Sequence, residues 1–330
     1  MPSLDPAVAE IRLAVRTALA DLPEGSTVIV ALSGGADSLA LAAATAFEAA
    51  KRGLRVAAVT VDHGLQDDSA AVAERAARTA ADLGLDPLVV RVEVSGDGGP
   101  EAAARDARYR VLRDAANDLR AAAVLLGHTL DDQAETVLLG LARGSGAASL
   151  QGMAVERADD DGVRWLRPLL GVRRATTRAF CAAAGLDAWD DPHNSDDRYS
   201  RVRVRDRVLP VLEAELGPGI AEALARTAEQ LREDAEAFDE MIHETIEDIV
   251  EHAEAGISVS VAALAANPAA LRNRIIRLVV DSEFGVSLTR TQTVEVARLV
   301  TDWSGQGPID LPGCSARRQG GRLVFTAAGR

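Results

Sequence analysis

Hydrophobic positions in the first 150 residues follow two alternating patterns. "STVIVALS", between Gly25 and the pair Gly34 and Gly35, is a short β-branched apolar run. "SLALAAATAFEAAKRG" after it carries helical periodicity and closes at Gly53. The alternation recurs in "RVAAVTV" with "SAAVAERAARTAADLG", in "DPLVVRVEV" with "GPEAAARDARYRVLRDAANDL", and in "AAAVLLGH" with "DDQAETVLLGLA". Continuously apolar strands separated by helices predict an α/β domain built on a parallel sheet flanked by helices on both faces.

Past residue 150 the pattern loosens. "WLRPLLGVRRATTRAFCAAAGL" predicts a short extended piece and a helix, and "DDPHNSDDRYSRVRVRDRVLPVL" a polar, arginine-bearing loop leading into another helix. Beyond Gly217, Ile220, Leu224, Leu231, Phe238, Ile242 and Ile246 recur at helical spacing through an acidic segment, which predicts one long amphipathic helix. Further helices are expected around "PAALRNRIIRLVV" and "TRTQTVEVARLVTDW", and the closing stretch reads as a β-hairpin turning at Gln319 to Gly321. This change of character places a domain boundary near residue 215, giving a first domain over 1–215 and a smaller, mainly helical C-terminal domain over 216–330 that ends in a β-hairpin.

Composition narrows the class. With 330 residues, 48% of them hydrophobic, the chain can bury a substantial core without staples. Its two cysteines, Cys181 and Cys314, are far apart, against a disulfide framework, a structural zinc site or an iron-sulfur cluster. The N-terminus carries acids in place of a basic, apolar leader and no long uncharged apolar run follows, so a cytoplasmic protein with no membrane role is expected. A formal charge of −14 argues against a generic nucleic-acid binder, yet Arg164 to Arg207 holds ten arginines against six aspartates and no glutamate. A locally basic face on an acidic chain suits a polyanion bound at one place.

In an open parallel sheet, ligands bind beyond the carboxyl ends of the strands. Three polar clusters follow strands here: "SGGADS", "DHGLQ" and "GHTLDDQAET". In the first, Gly34 and Gly35 let backbone approach closely, a helix starting near Asp37 offers free N–H groups and a positive dipole end, and Ser33 and Ser38 add hydroxyls, which together suit phosphate. A P-loop would end in Gly-Lys-Ser/Thr; Asp37 stands here instead, an acid that repels bare phosphate and makes sense through a bridging metal ion. Asp62 can cap the turn after the second strand, with His63 beside it. In the third cluster Asp131 or Asp132 is a plausible helix N-cap, while His128 and Glu135 join them in a group able to hold Mg²⁺ or an ammonium ion.

The residues "SGGADS" match the Ser-Gly-Gly-x-Asp-Ser loop of the PP-loop (N-type) ATP pyrophosphatases. With "VDHGLQ", "EAAARDARY", "GHTLDDQAET", "RGSG", "RPLL" and "DPHNSDDRYSRVRVRDRVLP" in the same order, the chain resembles one branch of them, the bacterial tRNA(Ile)-lysidine synthases. The resemblance is dense in the first domain and looser in the second, and it fits the shorter form of the family. It implies an adenine nucleotide alpha hydrolase-like PP-loop domain with ATP and Mg²⁺ as cofactors. The expected partners are tRNA(Ile) with a CAU anticodon and free L-lysine; a homodimer stays open.

The implied reaction is ligation of lysine through its ε-amine to C2 of the wobble cytidine (position 34), through an adenylated tRNA and with release of AMP and pyrophosphate. That changes the tRNA from methionine to isoleucine identity. Carried over by position, Ser33, Gly34, Gly35, Ala36, Asp37 and Ser38 would hold ATP. Asp37 with Asp131 would place Mg²⁺, and Asp62, His63, Arg105, Arg108 and His128 would position the adenylate, Arg105 or Arg108 clamping phosphate and His63 or His128 taking a proton. Asp132 and Glu135 would bind lysine; Arg143, Arg198, Arg201, Arg203 and Arg205 would contact tRNA phosphates. The chain departs from the family at Gln66, where arginine is common, at Thr129, where a second histidine is common, and at Val202, where asparagine is usual. Another PP-loop tRNA-modifying enzyme and a non-catalytic ATP-binding module are the alternatives. A cluster-dependent thiolase lacks its cysteines here, and a dehydrogenase lacks its Gly-x-Gly-x-x-Gly.

Overall fold

The computed structural model describes residues 4–64, 68–92, 100–144, 146–159, 161–191, 196–253 and 256–328; Gln66 lies outside them. The chain divides into two compact units, Met1–Leu231 and Arg232–Arg330.

The first unit runs α1 (Pro6–Ala18), β1 (Thr27–Ala31), α2 (Ala36–Ala50), β2 (Arg55–Asp62), α3 (Ser69–Asp82), β3 (Asp86–Arg91), α4 (Pro100–Asp118), β4 (Ala123–Leu125), α5 (Leu130–Ala142), α6 (Ala147–Leu150), β5 (Glu156–Ala158), β6 (Arg164–Leu166) and α7 (Arg174–Ala184). After it come α8 (Ser200–Arg203), a π-type turn (Val204–Val208), α9 (Leu209–Leu216) and the start of α10 (Ile220–Ile249). The sheet has the order β3-β2-β1-β4-β6-β5, parallel throughout except for β5, which pairs antiparallel with β6. The strand order switches direction between β1 and β4, which leaves the ends of these two strands open to a ligand.

Alternation along the strands builds two cores from one sheet. Val28, Val30, Val56 and Ala58 face α1, α2 and α7, packing on Ile11, Leu39, Leu41 and Phe180. Ile29, Ala57, Val59 and Val124 face the other side, against Leu112 and Ala115 of α4 and Trp165 of β6. Both faces are therefore dry, which is why these strands read as unbroken apolar runs. The parallel sheet flanked by helices expected from the sequence is what forms.

The arginine-bearing stretch differs from expectation. It is not a loop up to the next helix: α8 begins at Ser200, so Arg201, Arg203 and Arg205 sit on helical turns and point in different directions. Its alternating Arg-Val pattern imitates a strand or coil, and the buried Val202 anchors the turn.

In the second unit the remainder of α10 is followed by β7 (Val250–Ala253), β8 (Gly256–Ser260), α11 (Val261–Ala266), α12 (Ala269–Phe284), α13 (Arg290–Thr301), β9 (Ile309–Leu311), β10 (Cys314–Gln319) and β11 (Arg322–Ala327). The expected hairpin is present as β10–β11, with Gln319 opposite Arg322. It belongs to a five-stranded antiparallel sheet, β7-β8-β11-β10-β9, packed on Ile275, Ile276, Val279 and Val296 of the helices. β9 spans only three residues and β7 and β8 directly follow a long helix, so their periodicity is too short to stand out. Among the described residues no helix is long and apolar enough to cross a membrane.

Candidate active site

The turn after β1 is built for a close approach. Gly34 has φ +86°, a conformation that side chains resist, and its carbonyl accepts the Trp189 N–H at 3.0 Å. Gly35 is the N-cap of α2 and supplies no side-chain acceptor, so the first N–H groups of that helix are left for a ligand. Ser38 holds the turn instead, its hydroxyl donating to the Gly35 carbonyl at 2.9 Å and accepting from the Ser33 N–H at 3.2 Å. A slot of ≈ 10 Å³ beside Gly34 is lined by apolar Leu39, Val72, Ala76 and Trp189 and by polar Arg75, Thr79 and Asp187.

The loop after β4 packs directly on the start of α2. A Cβ at Gly127 would lie 3.2 Å from the Asp37 carbonyl group and the Ser38 nitrogen, so any larger residue would press this backbone apart by a few tenths of an ångström. Thr129, not Asp131 or Asp132, is the N-cap of α5. Its N–H donates to Asp132 Oδ2 at 2.8 Å, and the Asp132 N–H reaches back to Thr129 Oγ1 at 3.5 Å, a reciprocal capping box. A hydroxyl accepts from a helix N–H where a carboxylate one turn on completes the pair, so Thr129 fills its place well although a histidine is common there.

Around this frame lies a dense ion-pair cage. Glu135, fully buried one turn along α5, accepts from Arg205 Nε at 2.8 Å and Nη2 at 3.1 Å and from Arg174 Nη1 at 3.1 Å, with Arg201 Nε at 3.5 Å. Arg201 and Arg205 are one helical turn apart and so reach the same carboxylate, whereas Arg203 and Arg207 turn outward to Asp197. Arg174 also bridges Asp132 at 2.8 Å and Asp37 at 3.7 Å. Asp131 is taken up by α7: it accepts from the Arg174 backbone N–H at 2.7 Å and pairs with Arg173 at 3.1 Å.

These pairings divide the acids. Burial alone would raise the Asp132 carboxyl, but Arg174 and the Thr129 N–H overcome it and hold Asp132 below the ordinary carboxylate range. Burial pushes Asp37 up, only partly offset by the Thr177 hydroxyl bonded to it and by Arg174. Asp62 is buried and plays the capping part: Ser69, the Gly64 N–H at 3.0 Å and Arg91 outweigh its burial and hold it low. Burial and the cations Arg108, Arg167 and Arg105 push His128 down to about 3, against the opposing pull of Asp132. His63 is lowered too, first by burial and then by Arg108.

Of the residues picked from the sequence, Ser33 to Ser38, His63, Arg105, Arg108, His128, Asp132, Glu135, Arg201 and Arg205 thus gather at one sheet edge. Arg143 is exposed at the C-terminus of α5, Arg198 pairs with Asp196 at 2.6 Å, and Arg203 binds the carbonyls of Asp197 and Arg198, all on the outside. Asp132 and Glu135 are not free acids awaiting a cation; arginines already occupy them. Sequence reading missed Arg173, Arg174, Thr177 and Arg167. A signal existed: two adjacent arginines at a helix N-terminus oppose the dipole and imply acids opposite them. Asp131, Glu135, Arg173, Arg174, Arg205, Leu209, Pro210 and Glu213 also line a cleft of ≈ 160 Å³, mixed in charge and walled by aliphatic groups.

A parallel sheet whose first strand runs into Ser-Gly-Gly-x-Asp-Ser and an uncapped helix, with no P-loop lysine, defines a PP-loop ATP-binding domain. Residues 9–212 match the family described as a PP-loop domain, and residues 260–324 match the TilS substrate binding domain. The tRNA(Ile)-lysidine synthase of Leifsonia xyli subsp. xyli is 61% identical over 306 residues, covering 92% of this chain and 91% of that one. The enzyme of the same name from Thermobifida fusca is 50% identical and covers 98% of both chains. The chain belongs to the tRNA(Ile)-lysidine synthase family. Among solved structures, the U34-tRNA thiolase NcsA from Methanococcus maripaludis, with its 4Fe-4S cluster, superposes with a TM-score of 0.60 at 20% identity, over 69% of this chain and 79% of that one, a likeness of fold.

Two measurements check this geometry. Glu135→Gln leaves three arginines without their shared carboxylate and should destabilise the first unit by about 3–5 kcal/mol in urea unfolding. Asp37→Asn should act oppositely. An acid whose native pKa lies above its unfolded value costs the fold stability as pH rises past the unfolded value, so at neutral pH Asp37 subtracts from stability. The variant should melt at or above the parent temperature at pH 7 while losing ATP-dependent pyrophosphate release.

Proposed function

We propose that this chain joins free L-lysine, through its ε-amine, to C2 of the wobble cytidine of tRNA(Ile) with a CAU anticodon, converting ATP to AMP and pyrophosphate. The likeness to lysidine synthases along nearly the whole chain carries this reading. The nucleotide turn supports it in two respects. The uncapped start of α2 and the Ser33–Ser38 turn suit the pyrophosphate end of ATP. Asp37 is a hard oxygen donor next to them, and Mg²⁺ is ordinarily held by one or two carboxylates with the nucleotide's own phosphates. Asp37 would hold Mg²⁺ in this way, supplying charge neutralisation; Asp131, committed to α7, is no longer needed for it.

In the first step the cytidine O2 attacks the α-phosphorus and pyrophosphate leaves; Arg105 and Arg108 face the charge that develops. In the second, the lysine ε-nitrogen attacks C2 and AMP departs with the former O2. The cleft bounded by Asp131, Glu135, Glu213, Arg173, Arg174 and Arg205 carries both signs of charge around apolar walls, which matches an amino acid with a carboxylate, ammonium groups and an aliphatic stem. Its ammonium would compete with Arg174 for Asp132 and Glu135. An ε-ammonium, pKa about 10.4, must shed a proton before it attacks. His63 and His128 are neutral imidazoles available to take it, and a phosphate among the arginines that hold His128 down would raise its basicity. The exposed Arg198, Arg203 and Arg143 remain available to RNA phosphates.

Purified protein incubated with Mg-ATP, lysine and the CAU-anticodon tRNA(Ile) should add the mass of one lysine less water to the tRNA. Omission of lysine, or a changed anticodon, should abolish the adduct. ATP binding without any AMP formation would point to the non-catalytic module instead.

A further inference from the structure

Two sets of arginines meet at the functional edge of the sheet, and only one of them is balanced. Arg174, Arg201 and Arg205 each face a carboxylate. Arg167 and Arg108 have no ion-pair partner among the described residues. Arg167 follows β6 directly and is only 7% exposed; its Nη1 donates to the Ala154 carbonyl at 2.8 Å, while Nε is buried with no hydrogen-bond partner. Arg108 Nε on α4, His128 Nδ1 and His63 Nδ1 are likewise buried without a partner, and the Tyr109 hydroxyl lies against the Arg167 guanidinium. Packing gathers these groups: the Tyr109 and Trp165 rings lie 5.1 Å apart, and the guanidinium carbons of Arg105 and Arg108 lie 5.2 and 5.7 Å from the Tyr109 ring centre.

A buried guanidinium without a carboxylate is costly, and a fold that keeps one beside other orphaned donors holds it ready for an anion. We propose that Arg167, with Arg108 and the Tyr109 hydroxyl, forms a phosphoryl-binding subsite, the planar guanidinium edge at Arg167 Nε meeting phosphate oxygens once they arrive. Guanidinium is suited to this because its N–H fork matches the spacing of phosphate oxygens, which an ammonium cannot do. Burial lowers Arg167 and Arg108, Arg105 pushes each further down, and Tyr109 offsets this only in part. The subsite rests on the ATP-using reading above and adds to it a residue, Arg167, positioned by β6. The phosphoryl group has two sources, the nucleotide and the RNA backbone beside the reacting base.

The test compares the full-length parent with Arg167→Gln and Arg167→Lys. Melting temperature is read without ligand, and affinity is read for inorganic pyrophosphate, for Mg-ATP and for an unmodified anticodon stem-loop RNA without nucleotide. Arg167→Gln should melt no lower than the parent, since it removes an unbalanced buried charge, and should weaken anion binding by about tenfold or more, with Arg167→Lys restoring only part. Weakening confined to pyrophosphate and ATP assigns the nucleotide phosphates; weakening confined to the stem-loop assigns the RNA backbone; weakening of both places the subsite where the two meet. Unchanged affinity for all three probes, with or without a lower melting temperature, would overturn the subsite. If no lysine adduct forms but Arg167 still governs pyrophosphate binding, the subsite stands and only the reaction assigned above falls.

Discussion

The buried carboxylate of Glu135 is the constraint on which the rest of the site depends. A fully buried acid must be neutralised, and three arginines from two other segments do so, Arg174 from the start of α7 and Arg201 and Arg205 from the turns after Ser200. In meeting that demand α5, α7 and α8 are tied together, and Arg174 is left touching Asp37 at the head of the nucleotide turn. A single ionic network therefore joins the place where phosphate would rest to the cleft where an amino acid would fit. Networks of this kind specify geometry more than they add stability, because desolvation offsets much of the attraction.

Much of this was legible in the chain itself. Continuous apolar strands announced a sheet covered on both faces, and polar clusters after β1, β2 and β4 announced the edge where they would meet. The pairing of those clusters was not legible. Asp132 and Glu135 look like free acids until α7 is seen to bring Arg174 between them, and nothing local in "GVRRATTRAF" says which acids its arginines will face. Arg201 and Arg205 were hidden for a different reason: read as a loop, four arginines in eight residues all point at RNA, whereas helical turns send two of them inward and two outward. The short strands β7 to β9 were missed because three to five residues carry too little periodicity.

The nucleotide turn began as a glycine loop without its lysine, and the structure gives that substitution a physical sense. A lysine would neutralise phosphate by itself; Asp37, raised by burial, is an oxygen donor whose charge a cation arriving with phosphates would offset. The arginines that would complete charge neutralisation lie on α4 and directly after β6; Asp132 pulls the His128 imidazole toward its cation while Arg108 and Arg167 push against it. Phosphate binding would relieve the push, coupling the first chemical step to the proton acceptance needed by the second.

The central claim is that the nucleotide is spent on an oxygen of the RNA base, which then leaves with AMP. A tRNA bearing a heavy-oxygen isotope at the C2 carbonyl of the wobble cytidine tests it most directly. After one turnover with lysine and Mg-ATP, the AMP recovered should carry the heavy oxygen; AMP of ordinary mass alongside a lysine-bearing tRNA would contradict adenylation of the base.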